Sequence, residues 1–416
     1  MSWKETCPMT ERIRFVAELL EGQRDMSDLC RLYGISRKTG YKWQGRFEQG
    51  GPGGLEDRSH ARHSQAHAVP EAVVKQVVRL RRRHGTWGPR KLLAELLRLE
   101  PEGPWPAAST IGEILQRHGL VQPRRRQRRS VPRETAGLSY PQDPNELWCT
   151  DFKGQFRTGD GRYCYPLTLS DAASRYVLEC RGLAAPTAML VRPWFERVFE
   201  RYGLPWAIRS DNGPPFSSLA IAGLSELSIW WIKLGIMPQL IDPGQPQQNG
   251  RHERMHRTLK QETVRPVAAA NLPAQQRRFD RFVAEFNTER PHEALGQRPP
   301  AAFYKASLRA YRQHEQALQY PGHYEVRNVR QNGEIKFNGE LIYIGQVLGQ
   351  EPIGMLEVDD DIWQVYFGPV KLGMLDTYRA KFYPVARKRK RNKQAQGAAP
   401  PAPPAKPDKV LPISPV

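Results

Sequence analysis

The sequence predicts a multidomain protein, with helical units first, an α/β section with a mixed sheet in the middle, and a small all-β barrel after it. Three observations predict this order. Apolar residues recur at helical spacing in the first third of the chain, strand-like and helical runs alternate in the middle, and two Asn-Gly pairs separate short alternating runs in the last quarter. The predicted segments are a helical unit at 1–50, a linker at 51–69, a second helical unit at 70–121, a basic linker at 122–142, the α/β core at 143–305, a helical connector at 306–322, the barrel at 323–385 and a basic, Pro/Ala-rich, disordered tail at 386–416.

Composition and charge indicate a soluble protein that binds a polyanion. The 416 residues include 63 Lys and Arg against 43 Asp and Glu, which gives a net charge of +20. For a soluble protein this balance favours nucleic acid, although a solvated surface with disordered tails is the alternative explanation. No apolar run is as long as a membrane span, and the N-terminus lacks the apolar core of a signal peptide. We therefore expect a cytoplasmic protein with no membrane partner.

Two helices joined by a glycine turn near the N-terminus are typical of a helix-turn-helix reader of DNA. The run SDLCRLYGISRKTGYKWQGRF places Gly34 between the two helices, and Ser36 can cap the second one. That second helix carries the residues predicted to contact double-stranded DNA, which are Arg37, Lys38, Tyr41 and Lys42.

The second helical unit repeats this theme with the runs PEAVVKQVVRLRRRHG, TWGPRKLLAELLRLE and ASTIGEILQRHGLV. Arg90 and Lys91 begin its middle helix, and we expect both to contact DNA. The basic linker that follows adds three further candidates, Arg124, Arg125 and Arg126. A three-helix spacer without DNA contacts is the alternative interpretation of this unit.

Three acidic residues lie at comparable places in the predicted α/β core. Asp151 lies in the first strand, Asp211 follows the fourth strand, and Glu253 lies in the first turns of a long helix. If the first and fourth strands are neighbours, the three carboxylates can approach one another, and they repel unless hard divalent cations lie between them. Two such ions serve phosphoryl transfer. Arg257 and Lys260 share the helix face of Glu253, which suits a polyanionic backbone.

Other residues compete for a metal. The same helix spells HERMH, formally the H-E-x-x-H motif of zinc metalloproteases, in which Glu253 would be the general base. A Pro/Gly/Gln loop before the motif and the many arginines around it disfavour that interpretation, and we expect His252 and His256 on the surface near DNA. Three further acids receive other roles: Glu262 lies on the opposite side of the helix from Glu253, Asp171 is structural, and Asp242 is a turn residue. Five scattered cysteines without a C-x-x-C pair predict neither zinc ligands nor disulfides.

Taken together, these motifs resemble the integrase core of DDE insertion-sequence transposases. The resemblance is carried by Asp151 and by the runs SDNGPPF, PGQPQQNGRHERMHRTLKQE and FNTERPHEALGQRPPAAFY, and it extends forward to the helix-turn-helix and WGPRKL segments. Such transposases are similar to retroviral integrases and have an RNase H-like fold. The resemblance implies that Asp151, Asp211 and Glu253 are catalytic and bind two Mg²⁺ or Mn²⁺ ions per active site. It also implies that Lys260 contacts transposon-end DNA.

The resemblance further implies a DNA transposase that binds terminal inverted repeats, cleaves 3′ ends and joins them to target DNA. It implies a homo-oligomer assembled on DNA and a bacterial, nucleoid-associated location. Two features depart from the family: 41 residues separate Asp211 from Glu253, an excess that falls around FSSLAIAGLSELSIWW, and the zinc ligands of the retroviral N-terminus are missing. A catalytically silent, sequence-specific DNA-binding regulator derived from a transposase remains the alternative function.

Overall fold

The structure of the chain is a computed structural model that describes residues 7–57, 69–121, 141–242, 245–313 and 317–385. It divides into two compact units, residues 1–69 and residues 70–416. The candidate DNA contacts Arg124, Arg125 and Arg126, and the predicted tail from 386 onward, lie outside the described residues. In the part of the chain that is described, no helix is long and apolar enough to cross a membrane.

The N-terminal unit contains three helices, α1 (Pro8–Leu20), α2 (Met26–Leu32) and α3 (Arg37–Gly50). Its small core contains Phe15, Leu29 and Leu55. The Ser36 hydroxyl accepts the backbone N–H of Thr39 and caps α3 as predicted. The predicted linker begins too early, because residues 51–57 fold back onto the unit and bury the Leu55 side chain completely. Residues 58–68 lie outside the described part.

The second unit begins with three helices, α4 (Glu71–Arg83), α5 (Pro89–Leu99) and α6 (Ala108–Arg117). The α/β core follows, and its elements are β1 (Leu147–Phe152), β2 (Phe156–Arg157), β3 (Tyr163–Asp171), β4 (Val177–Leu183), α7 (Ala188–Tyr202), β5 (Ala207–Ser210), α8 (Glu226–Lys233), β6 (Met237–Leu240), α9 (Gly250–Leu259) and α10 (Leu272–Thr288). The predicted order of strands and helices in this core is therefore confirmed.

A mixed sheet organises the core. β3 pairs antiparallel with β4 and with β1, whereas β1, β5 and β6 pair in parallel. α7 and α8 cover one face, where Phe199 and Trp231 are completely buried. α9 and α10 cover the other face, where Leu259 and Phe279 are completely buried. β1 is a central strand because it pairs with β3 on one side and with β5 on the other. The pairing of β1 with β5 makes the first and fourth strands of the predicted sheet neighbours.

The helices α4 to α6 pack against the core instead of forming a separate body. His84 stacks on the buried Trp87, and its Nδ1 lies 2.7 Å from Oε1 of Glu285 on α10. Arg90 donates to Glu293 at 2.8 Å. The predicted boundary between residues 121 and 143 therefore marks a change of sequence pattern within one compact unit.

The C-terminal part is all-β but is not the closed barrel that the sequence predicts. Its strands are β7 (Glu325–Asn328), β8 (Glu334–Phe337), β9 (Glu340–Tyr343), β10 (Pro352–Asp359), β11 (Ile362–Phe367), β12 (Val370–Asp376) and β13 (Lys381–Pro384). Five of them form an open sheet in the order β13-β12-β11-β10-β7, and β8 pairs only with β9. Asn338 and Gly339 have positive φ and turn the β8–β9 hairpin as predicted. Within residues 324–385, hydrogen bonding leaves β7 and β13 as edges, and the separate hairpin lies beside both.

The C-terminal sheets share a hydrophobic core with the segment that follows Asp211. Leu224, Ile229 and Ile232 are buried against these strands, and Lys233 forms an ion pair with Glu351 at 2.9 Å. The excess residues around FSSLAIAGLSELSIWW therefore supply the surface on which the C-terminal part packs.

The helical connector predicted at 306–322 is wrong for the residues described there, 306–313 and 317–322, which contain no helix. The backbone of this segment hydrogen-bonds the end of α7 instead: the N–H of Ser307 donates to Tyr202, and the N–H of Leu204 donates to Arg309. Because these groups are paired across the segment, they are not available for the bonds of a helix.

Replacement of Phe199 by alanine should cost about 3 to 5 kcal/mol of unfolding free energy, because the side chain is completely buried between α7, α8 and the sheet. Urea unfolding followed by tryptophan fluorescence measures the change. Leu219→Ala is the control, since Leu219 is 96% exposed and its truncation should change stability by less than about 0.5 kcal/mol. Equal losses in the two variants would contradict this description of the core.

Candidate active site

The register of β1 brings two of the predicted carboxylates together. β1 and β5 pair in parallel with Cys149 opposite Arg209, and two residues further along both strands this register reaches Asp151 and Asp211. Asp211 comes directly after Ser210, the last residue of β5, and the N–H of Gly213 donates to its Oδ1 at 3.2 Å. Paired residues of parallel strands face the same side of the sheet, and the two carboxylates therefore lie on the side covered by α9.

The third carboxylate comes from α9. His252, Met255, His256 and Leu259 form the buried stripe of this helix against the sheet. Glu253 lies beside that stripe and is exposed, so its carboxylate faces solvent at the edge of the helix–sheet contact. Asp151, Glu253 and His256 line one open cavity of about 420 Å³.

Cations surround the two carboxylates of this cavity. Its walls include the side chains of Lys153, Arg257, Lys260 and Arg265. Arg257 and Lys260 are exposed, as their predicted place beside Glu253 requires. Lys153 and Arg265 were not recognised from the sequence, although Lys153 comes only two residues after Asp151. Four cations around acidic groups suit the binding of an anionic polymer, because they offset the repulsion between the polymer and the carboxylates.

The carboxylates are electrostatically strained. The pKa of Asp151 is raised to about 7, chiefly by burial and also by the charges of Asp211 and Glu253, while the N–H of Phe152 and the charge of Lys153 oppose the rise. Burial also raises the pKa of Asp211, and the Gly213 N–H opposes that rise. An uncompensated negative charge in a partly buried site is the condition that a hard divalent cation relieves.

The donor set therefore fits Mg²⁺ or Mn²⁺ in chemistry. It is not drawn together into a finished coordination shell: among the residues that the structure describes, no group of three His, Cys, Asp or Glu side chains is arranged closely enough to hold a metal ion.

The two histidines of HERMH are not surface residues, and the structure contradicts the zinc-protease interpretation. His252 and His256 are only 2% and 5% exposed. His252 uses both ring nitrogens for protein hydroxyls, Nδ1 with Ser170 and Nε2 with Thr168, both at 2.7 Å, and His256 Nε2 lies 2.6 Å from Thr168 Oγ1. Burial lowers the pKa of His252 to about 3, and burial together with the charges of His252 and Lys153 lowers that of His256 to about 2, which favours neutral rings. The expectation failed because β3 presents the hydroxyls of Thr168 and Ser170 to this face of α9, and these partners make burial of the imidazole rings acceptable.

Glu262 does not belong to the cavity. Arg290 donates to its carboxylate at 2.6 Å, and the Thr86 hydroxyl donates to the same oxygen. This glutamate therefore holds the second helical unit and the end of α10 together, in agreement with its assignment away from Glu253.

Asp171 and Asp242 also have the roles that the sequence indicates. Asp171 is buried at the end of β3 and accepts the backbone N–H groups of Asn145 and Ser174, both at 2.9 Å. Asp242 accepts from the Gln248 side chain at 3.1 Å, across the loop that leads into α9. Both carboxylates fix backbone turns.

The predicted DNA contacts fall into two groups. Arg37, Lys38, Tyr41 and Lys42 are all exposed on α3. Arg90 is exposed and forms a surface ion pair with Glu293, whereas Lys91 is half-buried, and its burial lowers its pKa to about 8. The assignment of both residues to DNA stays a prediction.

Comparison with models of known families identifies these units. An integrase core domain model matches residues 141–246, and a second integrase core domain model matches residues 234–300. Residues 141–300 are thus similar to an integrase core. A helix-turn-helix domain model matches residues 11–63, and a homeodomain-like domain model matches residues 39–115. The predicted order, an integrase core behind helix-turn-helix units, is confirmed by these matches.

The chain is similar to proteins of two bacterial insertion elements. It is 28% identical over 233 residues to the insertion element IS407 uncharacterized 31.7 kDa protein of Burkholderia multivorans (strain ATCC 17616 / 249), which covers 56% of this chain and 80% of that protein. It is 28% identical over 236 residues to the insertion element IS476 uncharacterized 39.2 kDa protein of Xanthomonas euvesicatoria, over 56% of this chain and 64% of that protein. The chain thus spans less than two thirds of the second relative.

Among solved structures, the integrase core is similar to the HTLV-2 integrase catalytic core domain in complex with magnesium, in its trimeric form. The identity is 17%, the match covers 39% of this chain and 98% of that chain, and the TM-score is 0.31.

Asp151→Asn should stabilise the metal-free protein at alkaline pH. The pKa of Asp151 is about 7 in the folded state and about 4 in an unfolded chain, so its contribution favours folding at low pH and is lost as pH rises between these values. Above pH 7 the ionised carboxylate destabilises the fold, and its removal should gain about 1 to 4 kcal/mol. Thermal unfolding with a chelator, at about pH 4 and about pH 8, measures the gain, which should vanish at the lower pH.

The matched control for this experiment is Glu200→Gln, which neutralises an acid exposed on α7. It should leave the unfolding temperature unchanged at both pH values. If Asp151→Asn also leaves the unfolding temperature unchanged at both pH values, ionisation of Asp151 among the three carboxylates does not destabilise the folded state.

Proposed function

We propose that the protein is a DNA transposase that binds the terminal inverted repeats of its element, cleaves 3′ ends and transfers them to target DNA. The observation that carries the proposal is the cavity in which Asp151 and Glu253 lie among four cations, with Asp211 next to Asp151 by strand register. Phosphodiester chemistry needs both the carboxylates and the cations. The carboxylates must lie close to a phosphate that they repel, and the cations keep that phosphate bound.

The residues of the site have separate roles in this proposal. Arg257, on the exposed side of α9, and Lys260, directly after that helix, bind phosphate oxygens of the strand to be cut. Asp151 is held in the middle of the sheet, which fixes its distance from the bound strand, and the Gly213 N–H orients Asp211. Rigid elements on both sides of the scissile phosphate supply the positioning on which such reactions depend.

Asp151, Asp211 and Glu253 would hold two Mg²⁺ or Mn²⁺ ions. When bound, these ions supply activation of the attacking oxygen and stabilisation of the leaving oxygen. The attacking group is a water for cleavage and the freed 3′ hydroxyl for strand transfer, and in each step one P–O bond forms as another breaks. No protein side chain needs to bond covalently to DNA.

Sequence recognition belongs to α3 in this proposal, because its exposed residues Arg37, Lys38 and Tyr41 are not engaged in contacts with the core of their unit. The C-terminal sheets would add phosphate contacts that do not depend on sequence. A homo-oligomer assembled on DNA would bring two ends together for joining.

Asp211→Asn and Glu253→Gln should each reduce cleavage and strand transfer at least about a hundredfold while DNA binding persists, because loss of one carboxylate removes several kcal/mol of stabilisation from the transition state. The assay uses DNA with the element's own ends and Mg²⁺, and gel shift measures binding. Glu200→Gln is the matched control and should cut normally. Wild-type protein that binds these ends tightly but cuts them with neither Mg²⁺ nor Mn²⁺ would instead indicate a DNA-binding regulator.

Arg257→Ala should weaken DNA binding about equally for end and unrelated sequences and should reduce the slope of log affinity against log salt by about one, because the residue neutralises one phosphate. Fluorescence anisotropy over a range of salt concentrations measures that slope. Arg201→Ala is the control, since Arg201 lies on α7, across the sheet from α9. A loss confined to the end sequence would mean that Arg257 reads bases.

A further inference from the structure

Buried hydroxyl and imidazole groups form a continuous chain beneath the carboxylates. Ser170 Oγ lies 2.7 Å from His252 Nδ1, His252 Nε2 lies 2.7 Å from Thr168 Oγ1, and Thr168 Oγ1 lies 2.6 Å from His256 Nε2. All four residues are at most 6% exposed. We call this chain the hydroxyl–imidazole network. It ends at Asp151, whose Oδ2 lies 3.7 Å from His256 Nδ1.

The hydrogen count at Thr168 assigns the position of every proton in the network. The hydroxyl of Thr168 has one hydrogen, and the backbone carbonyl of Asp151, 3.0 Å away, can only accept it. Both histidines must then donate from Nε2 to the Thr168 oxygen. A neutral ring that carries its proton on Nε2 has an acceptor at Nδ1, and the Nδ1 of His252 accordingly accepts the hydroxyl of Ser170.

The same count leaves a lone pair on Nδ1 of His256, and this lone pair faces the carboxylate of Asp151. The distance of 3.7 Å between this nitrogen and Oδ2 of Asp151 is too long for a hydrogen bond. With the opposite tautomer, an N–H of His256 would point at Asp151 and would compete with a cation for its oxygen. The network thus withholds a hydrogen-bond donor from Asp151.

We propose that Thr168 and His256 are positioning residues, which lock the Nε2–H tautomer of His256 so that the carboxylate of Asp151 stays available to a divalent cation. The inference rests on the proposed function for its purpose, but the tautomer itself does not. Thr168 is also the register partner of Asp151 on the neighbouring strand, so one hydroxyl ties β1, β3 and α9 together at the site. A residue that holds a metal ligand in its orientation without touching the metal typically changes metal affinity by about 10- to 100-fold.

The first measurement is the tautomer, read from the ¹⁵N chemical shifts of the histidine rings in metal-free protein near neutral pH. Wild type should show both His252 and His256 as neutral Nε2–H rings. A proton on Nδ1 of His256 would overturn the proposal, whatever the protein does to DNA. This spectroscopic result does not depend on catalysis, and failure of the proposed function would therefore leave it readable.

The second measurement is Mn²⁺ affinity by calorimetry in matched variants. Thr168→Val removes the hydroxyl at nearly constant shape and should shift His256 toward the Nδ1–H form and weaken Mn²⁺ binding about tenfold or more. Thr168→Ser restores the hydroxyl and should restore both the tautomer and the affinity. Ser170→Ala changes only the far end of the network and should leave the tautomer of His256 and the affinity as in wild type.

The variants separate a positioning role from a purely structural one. If Thr168→Val folds but binds Mn²⁺ as wild type does, the network only packs the helix on the sheet and the proposal falls. If Thr168→Val does not fold, Thr168→Ser and Ser170→Ala provide the test. Both variants should keep the wild-type tautomer of His256 and the wild-type Mn²⁺ affinity. An altered tautomer in either variant contradicts the hydrogen count. Wild-type protein that binds no Mn²⁺ at all would instead remove the proposed function and leave the tautomer assignment standing.

Discussion

The pairing of β1 with two neighbours is the constraint on which the site depends. On one side it pairs antiparallel with β3, which puts Thr168 opposite Asp151, and on the other it pairs parallel with β5, which puts Asp211 beside it. A shift of either register by one residue would turn the side chains to the opposite face and separate them. Because α7 and α8 cover the other face of the sheet, burial of Trp148 and Ile208 there fixes both registers. The hydrophobic core thus determines where the carboxylates lie.

The acidic side chains of the second unit differ in whether they have a partner. Acids that hold the fold, such as Glu262 and Glu285, are paired with Arg290 and His84 and join the helical unit to the core. Asp151 has no such partner within hydrogen-bond distance among the described side chains, and its raised pKa expresses that cost. A site that lowers stability in this way is typical of groups arranged for a ligand and not for the fold.

Polar groups buried under α9 connect the fold with the site. Replacement of His252, His256, Thr168 and Ser170 by apolar side chains could pack the same interface, and a buried polar network is acceptable only when each of its members is satisfied. Here every ring nitrogen except Nδ1 of His256 has a hydroxyl partner, and that one nitrogen faces Asp151. The exception lies where the network meets the candidate active site.

The sequence by itself determined the order of helices and strands, the Ser36 cap, and the three acids at the ends or edges of their elements, because each of these depends on local period and local turn chemistry. It could not determine which polar residues are buried. His252 and His256 lie on a basic helix whose sequence predicts exposure. Only the contact of α9 with β3 reveals their hydrogen-bond partner, the Thr168 hydroxyl, more than 80 positions away. The partial burial of Lys91, next to the exposed Arg90, is likewise not visible in the sequence. Only the tertiary structure decided which polar side chains are buried, because it alone brings distant side chains into contact.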